Sequence, residues 1–189
     1  YNDATTVPTQ GAAIINSTSG GNHTDDNITI FNVSTADVGN DPVKNIYQWY
    51  RNDAPLKVLY IPMEGGSNGT FTKDYSGRNR NGNVTAGTSI FWNATGGYDG
   101  RGAYHFDGSS NTDVINITGM PTNGSNGFSI VFWIKPDIMD SKWHGIFANG
   151  ACSAHFYVSQ HTSNGIIFSY TNKTLQNFFT SNALTANKW

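Results

Sequence analysis

The sequence predicts an all-β protein, and three observations carry that prediction. Residues 128–135 alternate, with Phe128, Ile130, Phe132 and Ile134 on one face and Ser129, Val131, Trp133 and Lys135 on the other. Alternation of period two, rich in aromatic and β-branched residues, marks a strand with one apolar face; Pro136 stops it. Residues 103–106 form a second apolar strand, closed by the turn pair Asp107-Gly108. Six Asn-Gly pairs, Asn68-Gly69 and Asn164-Gly165 among them, supply tight turns. Two strands tied by a polar, Gly-rich loop nucleate a sheet, and everything after Leu59 is expected to be built around it.

Composition narrows the function classes. The 189 residues make one domain of ordinary size, or one and a half. Only 13% are charged and 37% hydrophobic; Asn, Ser, Thr and Gly fill the difference. A net charge of −2 gives no attraction to nucleic acid or to an anionic membrane. The basic cluster Lys73, Arg78 and Arg80 is short and lacks the aromatic platform that nucleic-acid binding uses. No apolar run approaches the ~18 residues of a membrane span, so no membrane insertion is expected of this segment. The chain begins at Tyr1 without a signal peptide and reads as a mature or excised piece.

Asn-X-Ser/Thr sequons are the strongest compositional signal. Ten occur, at Asn16, Asn22, Asn27, Asn32, Asn68, Asn83, Asn93, Asn116, Asn123 and Asn172. Chance pairing of the 23 Asn with the 36 Ser and Thr would give about four. The excess points to N-linked glycans and hence to an extracellular or cell-surface location. Cys152 is the sole cysteine, so no disulfide forms within the chain. Many sequons without paired cysteines fit a prokaryotic surface protein, archaeal in particular, better than an animal one.

In chain order, residues 12–15 read as a short strand. Residues 27–34 read as a second, with Ile28, Ile30 and Phe31 or Val33 facing inward. Residues 45–51 (NIYQWYR) make a third strand centred on Trp49, followed by a turn at Asn52-Asp53. This pattern resembles the first half of an immunoglobulin-like module, in which a buried Trp follows two strands. From Leu56 the character changes. LKVLYIPMEGG reads as an apolar strand ending at Glu64 and a Gly pair. Beyond Pro136, short strands are expected over residues 143–148, 154–158, 165–170 and 176–179.

Four stretches carry a second resemblance: Pro62-Met63-Glu64; Asp74-Tyr75-Ser76-Gly77 with Asn81-Gly82 behind it; residues 100–108 (GRGAYHFDG); and residues 128–136 (FSIVFWIKP). In order and spacing they resemble the opening half of the LamG-like jelly rolls of the concanavalin A-like lectin/glucanase superfamily. The expected organisation is a partial immunoglobulin-like module over residues 1–57 and a LamG-like jelly roll, an antiparallel β-sandwich, over residues 58–189. Both are expected to be incomplete. In the family further strands follow the position of Trp189, so the missing strands are expected from a C-terminal segment of the same protein or from another copy. A LamG domain inserted in an immunoglobulin-like module resembles an arrangement in archaeal surface glycoproteins.

The resemblance raises two chemistries, hydrolysis and calcium binding. Some superfamily members hydrolyse glycans with paired Glu residues, and retaining chemistry needs two carboxyl groups about 5–5.5 Å apart. Glu64 is the only Glu, and the twelve Asp sit singly in turns, so no enzyme is expected. Cys152 and His155, at C-x-x-H spacing, do not orient a nucleophile, and the histidines show no HExxH pattern. Family members often hold calcium near the sheet rim. The matching positions are Asp74, Asp107 and Glu64, with loop carbonyls such as those of Gly77 and Asn79 completing a shell; the alternative is that Asp74 and Asp107 only cap turns.

For glycan binding, an aromatic ring must be exposed beside polar groups. Trp92, Tyr98, Trp143 and Tyr157 are candidates; Trp92 and Trp143 stand out because they adjoin loops, whereas Phe132 and Trp133 are expected in the core. Two functions remain: a structural glycoprotein of a surface or filament assembly, or a carbohydrate-binding adhesion module.

Overall fold

The computed structural model describes residues 7–21, 23–40, 43–85, 89–110, 112–120, 129–140, 142–149, 156–160, 165–172, 174–179 and 184–189. The described residues form strands and turns and no helix, and every ladder is antiparallel. The protein is all-β. No helix among the described residues is long and apolar enough to cross a membrane. The chain divides into two compact units, residues 1–47 and 48–189.

The first unit holds a hairpin of β1 (Ile14–Ser17) and β2 (Ile28–Phe31), in register from Ile14 opposite Phe31 to Ser17 opposite Ile28. Asp26 closes its connection: Oδ2 accepts from the Ser19 hydroxyl (2.6 Å) and the His23 N–H (3.0 Å). A short Asp side chain in a tight loop does here what a turn needs. Of the residues expected to face inward, Ile28 and Phe31 are exposed and Ile30 is half-buried.

In the second unit, β3 (Tyr50–Arg51) and β4 (Ala54–Pro55) pair around Asn52-Asp53. Both turn residues have positive φ, 50° and 62°, as a two-residue hairpin turn requires. Only the end of the expected 45–51 strand is therefore in a ladder, and Trp49 is half-buried. A three-stranded sheet runs in the order β5 (Phe71–Thr72), β6 (Gly82–Val84), β9 (Ile115–Ile117). β7 (Ile90–Asn93) pairs with β8 (Ala103–Phe106). A four-stranded meander follows: β10 (His144–Asn149), β11 (Phe156–Gln160), β12 (Ile166–Asn172) and β13 (Thr174–Phe179). The four meander strands lie within two residues of their expected ranges, and β8 matches its own.

Two expected strands are not strands. Residues 56–63 make no ladder. Their main-chain groups are taken by the loop after β5 instead. Arg78 donates to the carbonyls of Pro55 (3.0 Å) and Lys57 (3.2 Å), and Arg80 to that of Val58 (2.7 Å). The Tyr60 N–H donates to Asp74, and the Tyr60 carbonyl accepts from the Tyr75 N–H. Side chains thus satisfy carbonyls that a neighbouring strand would otherwise satisfy. Residues 129–136 also lie outside any strand; Phe128 lies outside the described residues. Phe132 and Trp133, expected in the core, are exposed. Alternation assigns their faces, but among the described residues no strand pairs with this segment.

Among the described residues, the buried interior of the second unit is partly polar. Val84, Ile90, Pro136, Val158 and Ile167 are buried apolar side chains among the described residues, beside fully enclosed Thr72, Ser76 and Ser169. The Ser67 and Thr72 hydroxyls satisfy each other at 2.8 Å, which removes the cost of burying them.

Candidate functional site

The segment that fails to become a strand forms the most distinctive surface of the molecule. Among the described residues, residues 129–135 make no main-chain hydrogen bond. Ile130 and Ile134 are half-buried and Pro136 is buried, whereas Val131, Phe132 and Trp133 are open. The far end is anchored. The Asn187 N–H donates to the Pro136 carbonyl (2.7 Å) and its side-chain amide to the Asp137 carbonyl (3.3 Å). The Asp137 carboxylate lies 2.7 Å from Nε2 of His105, whose ring stacks on Phe91, its cross-strand partner, at 4.5 Å.

An aromatic group builds on this frame. Trp133 stacks on Tyr98 with centroids 3.9 Å apart and planes 5° from parallel. Trp189 meets Tyr98 edge-on at 6.4 Å, and the Lys135 ammonium stands 5.7 Å from the Trp189 ring centre. Tyr98 is 57% and Trp133 64% exposed. Large rings so paired are usually buried for their area. An unpaired extended main chain beside them can accept an added strand, while a flat exposed ring can stack on a sugar.

Of the Trp residues singled out by sequence, Trp92 is half-buried and donates its Nε1–H to the Met63 carbonyl (2.8 Å). Met63 holds φ 62°, a costly conformation for a non-glycine residue. Gly102 passes so close to the same carbonyl that any Cβ there would collide with it. Trp143 is 54% exposed; the Tyr157 side chain lies outside the described residues. Tyr98, Trp133 and Trp189 are thus brought together, and Trp92 and Trp143 are not part of that group. The missed signal was the convergence of three chain-distant aromatics, which periodicity does not encode.

The calcium candidates separate. Asp74 is 5% exposed. Its Oδ1 accepts from the N–H groups of Tyr60 (3.0 Å) and Ser76 (2.8 Å), and its Oδ2 from the Ser76 hydroxyl (2.7 Å) and the Arg80 N–H (2.9 Å). Burial pushes its pKa up, but the donors from Ser76, Tyr60 and Arg80 outweigh burial and hold it below the ordinary value. Four donors fill the roughly four lone-pair sites of a carboxylate. The group is a clamp on the loop carrying Gly77 (φ 80°) and Asn79 (φ 55°), and a cation would have to displace Ser76 and Arg80. Asp107 accepts the Ser109 N–H at 2.7 Å in the turn after β8. Glu64 is half-buried, and its charge helps raise the pKa of Tyr75, whose burial is the larger cause. Among the described residues no three His, Cys, Asp or Glu side chains gather as a metal would need. Both Asp74 oxygens are engaged by protein donors.

The sequon asparagines with described side chains, Asn16, Asn27, Asn32, Asn68, Asn83, Asn93 and Asn116, are all exposed. Asn68 accepts from the Thr70 N–H (2.9 Å) and hydroxyl (3.0 Å), and Asn93 likewise from Thr95 (3.0 and 3.2 Å). Asn22 and Asn123 lie outside the described residues, as does the Asn172 side chain. The chain matches no protein-family model, no curated protein and no solved structure.

Proposed function

We propose that this protein is a non-enzymatic, N-glycosylated building block of an extracellular or cell-surface assembly. Its β-structure is completed by a strand from another copy or from a C-terminal segment of the same protein. One observation carries the reading: among the described residues, segment 129–135 makes no main-chain hydrogen bond, and its Val131, Phe132 and Trp133 are open to solvent. An extended chain with free main-chain groups and apolar side chains is the form that strand addition uses. On this reading residues 58–189 belong to a LamG-like jelly roll and residues 1–57 to an immunoglobulin-like module, as in archaeal surface glycoproteins. Electron microscopy of native material, with intact mass on the same sample, is the test. Ordered filaments or sheets support the assembly, and dispersed monomers count against it.

The stacked, exposed pair Tyr98 and Trp133 favours a second reading, a carbohydrate-binding adhesion module. It expects tryptophan fluorescence to change on titration with a panel of saccharides, and Trp133→Ala to remove the response. Binding that calcium modulates belongs to this reading.

A further inference from the structure

Two of the sequons face each other across one ladder. Asn83 on β6 is the register partner of Asn116 on β9. The Thr85 N–H donates to the Val114 carbonyl at 3.0 Å, which makes 85 and 114 a hydrogen-bonded pair. Two residues along, Asn83 and Asn116 are therefore a pair of the same kind, with Cα atoms about 5.5 Å apart. Neighbours on both strands turn inward: Gly82 and Val84 are buried, and Ile115 and Ile117 half-buried. Both asparagines thus project from one exposed face, side by side. On the other side of Asn83, its partner on β5 is Phe71. β6 is hydrogen-bonded on both edges, so Asn83 cannot swing away from either neighbour.

We infer that Asn83 and Asn116 are alternative glycosylation sites, one molecule carrying a glycan on one of them and not on both. The inference rests on the reading of the chain as N-glycosylated. Transfer joins an Asn Nδ2 to the anomeric carbon of a lipid-phosphate-linked sugar. The carbon–oxygen bond to phosphate breaks, phosphate leaves with that electron pair, and the amide releases one proton. Nothing in that chemistry distinguishes Asn83-Val84-Thr85 from Asn116-Ile117-Thr118. What distinguishes them from the other sequons is space. A first glycan on either side chain occupies the volume over its partner at cross-strand contact distance, about 5 Å between Cβ atoms. The second acceptor amide is then covered.

Lysine-specific cleavage tests this directly, because no lysine lies between Lys73 and Lys135 and one peptide carries both sites. The protein is made in a host that N-glycosylates, with Asn93→Gln and Asn123→Gln so that this peptide keeps two sequons. Its mass is expected to show one glycan. Adding Asn83→Gln is expected to raise occupancy at Asn116 about twofold, as for two sites that share one modification evenly. A main species with two glycans, a peptide bare at both sites, or no rise at Asn116 overturns the inference while glycans elsewhere leave the glycoprotein reading standing. A chain bare at all eight remaining sequons overturns both.

Discussion

Tyr98 and Trp133 lie face to face, 3.9 Å between ring centres, with more than half of each side chain open to solvent. The two come from different places: Tyr98 from the loop joining β7 to β8, Trp133 from an extended segment that pairs with nothing among the described residues. The contact orders that segment without covering it. A segment with exposed aromatic side chains and no main-chain hydrogen bond among the described residues is the feature from which the proposed assembly follows.

Trp133→Ala should separate folding from assembly. Offset or parallel aromatic pairs contribute about 0.5–1.5 kcal/mol beyond area burial, and the Trp133 ring is mostly exposed already. Thermal unfolding of the single chain should therefore shift by only about 1 kcal/mol equivalent, while ordered assembly is lost. A variant that assembles normally by electron microscopy counts against a role for this face.

Asp74→Asn should weaken the fold. The amide cannot accept from the Arg80 N–H where its own NH₂ now points, and one buried polar mismatch costs about 1–3 kcal/mol. The effect depends on pH with a definite sign. The folded pKa of Asp74 lies below the ordinary 3.8. Its contribution is thus complete above the unfolded value and is lost as pH falls through the folded value. Chemical denaturation across that range should show the gap between wild type and variant closing towards acid; a gap that widens towards acid contradicts the clamp.

Calcium addition or EGTA should leave the melting temperature unchanged. The four donors to Asp74 occupy the carboxylate, and binding a cation would forfeit them. A calcium-dependent rise in melting temperature of several degrees, as ligand linkage produces, would show that the loop rearranges around an ion.

Gly102→Ala should destabilise more than an ordinary surface change. The new methyl meets the Met63 carbonyl, which also holds the Trp92 Nε1–H. Overpacking against main chain typically costs about 1–3 kcal/mol. Loss of the Trp92 hydrogen bond should appear as a red-shifted fluorescence maximum, and an unaltered spectrum and stability would contradict the close approach.

Local signals in the sequence were enough where the structure is local. Ala103–Phe106 is the strand that its apolar run and the turn pair after it predict, and the turn at Asn52-Asp53 has the positive φ values its residues favour. The alternation in residues 128–135 is as strong as any in the chain, yet residues 129–135 pair with no strand among the described residues. Periodicity reports which side chains share a face; it carries no information on whether a partner strand exists. Residues 56–63 misled for a related reason, since Arg78 and Arg80, some twenty residues on, take the carbonyls a neighbour strand would. The sequence named Asp74 as special and left open whether it caps or coordinates; only the direction of its four donors favours capping. The aromatic group required three separate segments to meet, which no local pattern records.

Hydrogen exchange of the main-chain amides of residues 130–134 tests the central claim most directly, compared between native assembled material and the dissociated chain. Fast exchange in the dissociated chain and strong protection in the assembly are expected, because an added strand would take those N–H groups into a ladder. Equal, fast exchange in both states would show that this segment accepts no strand, and would contradict the proposal that another chain segment completes the fold.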